Sequence, residues 1–179
     1  MEYNFDKIID RSGSGDLKHG ALLPRWGRED LLPLWVADMD FETPSFITDA
    51  LKARLEHSLF GYTVEPEDFM PSIIDWIHDH HQWDVKREWI KFIPGIVKGI
   101  GLVVNVFTNP DEKVIIQPPV YHPFRLTPEG NGREVVFNPL KMRDDGYYDM
   151  DFENLEKVCD EKCKVFILCN PPNPGGITW

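Results

Sequence analysis

The sequence predicts an α/β fold: an N-terminal arm followed by a layer with a mostly parallel sheet and flanking helices. Three observations lead there. From Trp89 onward, strand-like and helix-like segments alternate, as they do in a chain built from strand-helix-strand units. The run Val165-Phe166-Ile167-Leu168-Cys169 is apolar without alternation, which suits a strand buried on both faces. Ahead of Leu34, by contrast, Gly13, Gly15, Gly20, Pro24, Gly27 and Pro33 interrupt every periodic pattern.

Residues 1–44 therefore read as an irregular arm, and residues 45–179 as the first part of a truncated domain. Thr43 or Ser45 can cap a helix running to about Ser58. Ile47, Ala50, Leu51, Arg54 and Leu55 follow at helical spacing, and Pro44 suits the first turn. A second helix is expected from Glu67 to Gln82. Next come a strand from Trp89 to Ile93, a helix from Val97 to Phe107 and a strand from Lys113 to Gln117. A helix near Pro123 to Gly130, a strand from Arg133 to Phe137, a helix from Phe152 to Glu161 and a terminal strand from Lys164 to Cys169 complete the alternation.

Composition narrows the functions open to such a fold. With 179 residues, 42% of them hydrophobic, the chain can bury a substantial core. A net charge of -11 argues against a general binder of nucleic acid or of membrane surfaces, both of which need a basic face. The start, Met1-Glu2-Tyr3-Asn4-Phe5-Asp6, has no signal-peptide pattern, no run reaches the length of a membrane span, and a cytoplasmic address is expected. Cys159, Cys163 and Cys169 read as reduced structural thiols. His78, His80 and His81 do not converge on one point of their helix, so no metal site is expected.

Three loops carry the chemistry. Phe92-Ile93-Pro94-Gly95-Ile96-Val97 leads straight from a strand into a helix, so the amides of Ile96, Val97 and Lys98 emerge from a positive helix end suited to an anion. Gly99-Ile100-Gly101 lacks the third glycine of a dinucleotide fingerprint, and Lys98-Gly99 reverses the order a triphosphate loop needs. The second loop, Gln117-Pro118-Pro119-Val120-Tyr121, presents an aromatic plate able to stack on a planar ligand. The third, Asn170-Pro171-Pro172-Asn173-Pro174-Gly175-Gly176, fixes the carboxamide of Asn173 beyond the end of a strand. A phosphate cradle, a ring platform and a fixed carboxamide together suit pyridoxal 5'-phosphate.

These segments, with Leu32-Pro33-Leu34-Trp35-Val36-Ala37-Asp38-Met39-Asp40-Phe41 and Phe60-Gly61-Tyr62-Thr63, make the chain resemble the cystathionine β-lyase type of carbon-sulfur lyases. These are fold-type I pyridoxal-phosphate enzymes of the class I/II aminotransferase superfamily. The resemblance covers nearly the whole chain as an N-terminal half. It implies an aminotransferase-like large domain, with Ile96 and Val97 on the cofactor phosphate, Tyr121 on the pyridine ring and Asn173 on its phenolic oxygen. It further implies that Tyr62 serves the cofactor of a neighbouring subunit in a homodimer, and that Trp35, Ala37 and Asp38 approach an amino-acid substrate. Pro172 stands where relatives often have histidine, and Ile177 where a basic residue is usual.

The resemblance also implies that the Schiff-base lysine, the acid facing the pyridine nitrogen and the arginine for the substrate carboxylate lie beyond the equivalent of Trp179. Catalytic residues are therefore unassigned in this chain. Lys98 reads as a neighbour of the phosphate or a solvated charge. The complete enzyme is expected to be a β-lyase on cystathionine or a related sulfur amino acid, giving pyruvate, ammonia and a thiol, and the 179-residue chain alone to be inactive. The alternatives are an amino-acid aminotransferase and a non-catalytic regulatory protein that keeps the fold.

Overall fold

The computed structural model describes residues 3–179. They pack as two compact units, divided between Pro66 and Glu67. The helix after Pro44 packs with the N-terminal segment in this chain, so the unit boundary lies at Pro66.

The arm is more regular than its glycines suggest. Asp16 caps a short helix α1, Leu17–Gly20, its side chain accepting a 2.8 Å hydrogen bond from the His19 amide. Helix α2, Leu22–Trp26, follows and is ended by Gly27 in the left-handed region at φ 68°. Gly20 is the last residue of α1 and Gly27 stops α2, so these glycines mark helix ends and not an irregular arm. Helix α3 spans Ser45–Leu55, with Pro44 itself at the N-cap position in place of Thr43 or Ser45. Ser45 is already helical, because Pro44 at ψ 139° makes the turn into the helix.

The second unit opens with α4, Phe69–His81, ended by Gln82 at φ 51°. The expected strand at Trp89–Ile93 is absent. Trp89 closes a 3-10 turn, Arg87–Trp89, and Ile90 beyond it is extended at φ −96° and ψ 127°. No described strand pairs with it, and an extended segment without a ladder neighbour is not a strand.

Helix α5, Ile96–Phe107, then leads into strand β1, Lys113–Ile116, followed by α6, Pro123–Gly130, and β2, Glu134–Phe137. An antiparallel hairpin of β3, Lys141–Met142, and β4, Tyr148–Asp149, intervenes. Helix α7, Phe152–Val158, and strand β5, Cys163–Ile167, complete the unit. Helix α7 stops at Cys159, short of the expected Glu161.

The sheet runs β2-β1-β5, all parallel, with Val114 opposite Val135 on one side and Val165 on the other. Central β1 is its most buried strand, and Val114, Ile116 and Val104 of α5 form the core. Ile100, Phe124, Val135, Val165 and Ile167 pack around it, so α5 and α6 cover one face. Gly101 lets these helices approach, since a Cβ there would lie 3.4 Å from Thr127 Cγ2.

Strand β5 is not buried on both faces. Val165 and Ile167 turn to the core, but Phe166 is 42% exposed and Leu168, just past the strand, 51%. Among the described residues the core packs against one face of β5 alone, and the period-two alternation of a strand turns Phe166 to the other.

Candidate functional site at the carboxyl edge of the sheet

Because β1, β2 and β5 are parallel, the loops after Ile116, Phe137 and Ile167 all leave the same edge. Helix α5 returns against the strand it feeds, and this direction carries its first turn toward that edge as well. Ligands of open α/β sheets bind at this edge.

The first turn of α5 has features that suit an anion. Gly95 holds the N-cap position at φ 100° and ψ 135°, no side chain caps the helix, and no acidic residue occupies the turn. Its first amides therefore lack intrahelical partners and face outward at the positive end of the helix dipole. Ile96 is 75% exposed and Val97 38%. A Cβ on Gly95 would meet no heavy atom within 4 Å, so the space beside these amides is open. Lys98 is exposed one position further along.

Tyr121 stands in the loop after β1, half-buried and held by two edge-on aromatic contacts, at 5.0 Å to His122 and 6.1 Å to Phe124. The Phe124 amide donates to the Tyr121 carbonyl at 2.9 Å, tying the ring's position to the start of α6.

Asn173 lies in the loop after β5 with its side chain exposed. The turn that presents it is folded around two anchors. Cys169 Sγ donates to the Pro171 carbonyl at 3.5 Å and accepts from the Asn173 amide at 3.4 Å. Pro172 is buried, its carbonyl accepts from the Gly176 amide at 2.7 Å, and a Cβ on Gly175 would lie 3.1 Å from its Cγ. The histidine-to-proline departure thus sits in a packed position under the turn. Trp179 Nε1 donates to the Tyr148 carbonyl at 3.1 Å and closes the loop onto β4.

Two polar residues at the same edge escaped the sequence reading. Gln117 is 5% exposed and Asn138 fully buried. The Asn138 amide donates to the Ile116 carbonyl at 2.9 Å, which prolongs the β1–β2 ladder by one residue. Asn138 Oδ1 accepts from Asn154 Nδ2 at 2.8 Å, anchoring α7 to the edge. Gln117 Nε2 and Asn138 Nδ2 have no partner among the described residues. A carboxamide directly after an apolar strand was the available signal. The Asn154 amide, with Lys141 adding to it, holds the Asp151 carboxyl below its usual range against the opposing effect of burial.

The remaining candidates, Tyr62, Trp35, Ala37 and Asp38, belong to the N-terminal unit. Tyr62 is fully exposed. Trp35 donates its indole N–H to the Lys18 carbonyl at 3.0 Å and meets Trp26 edge-on at 5.1 Å. Ala37 is exposed, and Asp38 pairs with Arg11 at 3.1 Å. The helix histidines are engaged separately, His78 with Asp84 at 2.9 Å and His80 stacked on Trp76 at 3.6 Å. No cluster of metal-ligating side chains occurs among the described residues, and no described helix is long and apolar enough to cross a membrane.

Comparison with known proteins places this architecture. Cystathionine beta-lyase PatB of Bacillus subtilis is 45% identical over 98% of this chain, which spans 46% of PatB. Cystalysin from Treponema denticola, whose crystal structure contains pyridoxal 5'-phosphate, superposes with a TM-score of 0.91 at 35% identity, over all of this chain and 46% of its own. The pyridoxal-phosphate-bound C-S lyase from Staphylococcus hominis gives 0.88 at 33% identity, again over all of this chain and 46% of its own. The chain thus spans about half the length of the relatives it matches. The model for aminotransferase class I and II matches residues 29–179, and the chain belongs to that family.

Proposed function

We propose that the full-length protein is a pyridoxal-phosphate-dependent carbon-sulfur β-lyase acting on cystathionine or a related sulfur amino acid. The observation that carries the reading is the uncapped, acid-free first turn of α5, open to solvent on the edge from which the Tyr121 and Asn173 loops also leave. The donor set fits the cofactor: amides for a phosphate, an aromatic ring for a pyridine, a carboxamide for a phenolic oxygen. Ile96 and Val97 hold the phosphate, Tyr121 stacks on the ring, and Asn173 donates to its oxygen. When bound, pyridoxal phosphate supplies an electron-withdrawing ring that stabilises negative charge at the substrate α-carbon. Trp35, Ala37 and Asp38 lie beside the substrate, and in the full-length protein the arm gives way to the large domain at residue 44, although α3 packs with the N-terminal unit in this chain.

The protein works in the cytoplasm as a homodimer in which Tyr62 of the partner subunit reaches the phosphate; the full exposure of the Tyr62 side chain supports this. The similarity to PatB supports lyase chemistry over amino transfer, which uses the same contacts. The test incubates the full-length protein with pyridoxal phosphate and cystathionine and measures pyruvate, ammonia and thiol. Equal release of all three is expected. Keto-acid formation with transfer of the amino group and no thiol would overturn the lyase reading in favour of an aminotransferase.

A further inference from the structure

The segment Trp35–Asp40 is held in a conformation its own sequence does not favour. Val36 lies at φ 58°, in the left-handed region, where a β-branched side chain crowds its own backbone. Such a backbone persists when its surroundings over-determine it. The surroundings are visible. Lys18, on α1, is 7% exposed, and its ammonium donates to the Asp38 carbonyl at 2.9 Å and to Asp40 Oδ2 at 2.7 Å. Its own carbonyl accepts the Trp35 indole N–H at 3.0 Å. One residue thus grips the segment on both sides of Val36. Arg11 adds a second cation, spanning Asp38 at 3.1 Å, Asp40 at 3.0 Å and the α1 cap Asp16 at 3.3 Å. The Asp38 carboxylate is already occupied by Arg11, which leaves the backbone shape of the segment as its main contribution.

We propose that Lys18 is a positioning residue: by clamping Asp38 and Asp40 it keeps Val36 left-handed and sets the affinity of the full-length enzyme for its amino-acid substrate. The inference rests on the placement of Trp35, Ala37 and Asp38 beside the substrate. The Lys18 ammonium is committed to the Asp38 carbonyl and to Asp40, so its loss is expected to act on substrate binding and to leave cofactor affinity alone.

The experiment compares Lys18→Met, Asp40→Asn and the exposed control Lys52→Met in the full-length protein. Lys18→Met is expected to raise KM for the amino acid about tenfold, since small displacements of positioning groups are costly, with kcat much less affected. Pyridoxal-phosphate affinity, read by absorbance titration, stays at the wild-type value. Amide hydrogen exchange across residues 36–40 becomes faster than in the control. Asp40→Asn, which keeps Lys18 and its bond to the Asp38 carbonyl, shifts KM and exchange in the same direction by less, and decides the matter if Lys18→Met does not fold. Unchanged KM, or unchanged exchange across 36–40, would overturn the proposal. A wild-type protein that turns over no amino acid would refute the functional reading instead, and the exchange data would still show whether Lys18 holds the segment.

Discussion

Replacing Gly95 by alanine puts the anion-site reading at most direct risk. Gly95 sits at φ 100° and ψ 135° at the N-cap of α5, a conformation that residues with a Cβ rarely adopt. A Cβ there meets no heavy atom within 4 Å, so the penalty is conformational and not a clash. Holding such a backbone costs about 1–3 kcal/mol. If the full-length protein keeps the turn, the cost appears as lost stability. If the turn relaxes, the amides of Ile96 and Val97 swing away, and affinity for pyridoxal phosphate falls by a factor of up to about 5 to 150. Urea denaturation of the apoprotein and absorbance titration with the cofactor read the two parts, and their sum should fall in that range. Gly130→Ala is the control: that glycine ends α6 outside the left-handed region with open space around it, so alanine should raise stability by about 0.4–1 kcal/mol. A Gly95→Ala protein with wild-type stability and wild-type cofactor affinity would refute the reasoning.

Tyr121→Ala should weaken cofactor binding about threefold to tenfold, the worth of an aromatic contact, while Tyr121→Phe keeps most of it; equal losses in fluorescence titration would show that the hydroxyl matters and not the ring. Mixing Tyr62→Ala with Asn173→Ala subunits should restore activity at about a quarter of the sites, because one site of each hybrid dimer is then intact; verified hybrids with no recovery would place Tyr62 in its own subunit's site or in none. Lys113, 2.7 Å from Asp160, holds the Asp160 carboxyl down at about 2 from its usual 3.8. A lowered folded pKa contributes stability that is present above pH 3.8 and lost as the pH falls toward 2. Asp160→Asn should therefore flatten the pH dependence of the urea midpoint across that window, and an unchanged acid limb would remove Asp160 from the account.

The central α/β unit is legible in the sequence because its signals are local. Val97 to Phe107 is apolar at helical spacing, and Lys113 to Gln117 is a short apolar run closed by prolines, so α5 and β1 appear nearly as expected. What fails depends on distant neighbours. Trp89–Ile93 has strand composition, but pairing needs a second strand at the right place, and none of the described residues supplies one. Phe166 and Leu168 are apolar enough for a two-sided core, yet the packing of the described residues leaves both of them exposed. The α1 and α2 pair was legible in principle from Asp16 and Gly27, and was masked by the density of glycines between Gly13 and Gly27. Gln117 and Asn138 are the hardest case, because a carboxamide after a strand becomes a buried group only through tertiary packing, which for Asn138 includes the bond from Asn154 of α7.

The open side of β5 bears on how such a protein is made. Ribosomes deliver roughly 5–20 residues per second, and domains fold N-terminal first. For a protein of its relatives' length, the core around Val104, Val114 and Ile116 can form from residues already outside the ribosome. A second stretch as long as this one then takes on the order of ten to forty seconds to emerge. Throughout that interval, β5 presents unpaired backbone groups with Phe166 and Leu168 beside them, a ready template for strands of other nascent chains. Slowing elongation just after this half should therefore increase co-translational aggregation or chaperone capture, and a lysine in place of Phe166 should reduce both.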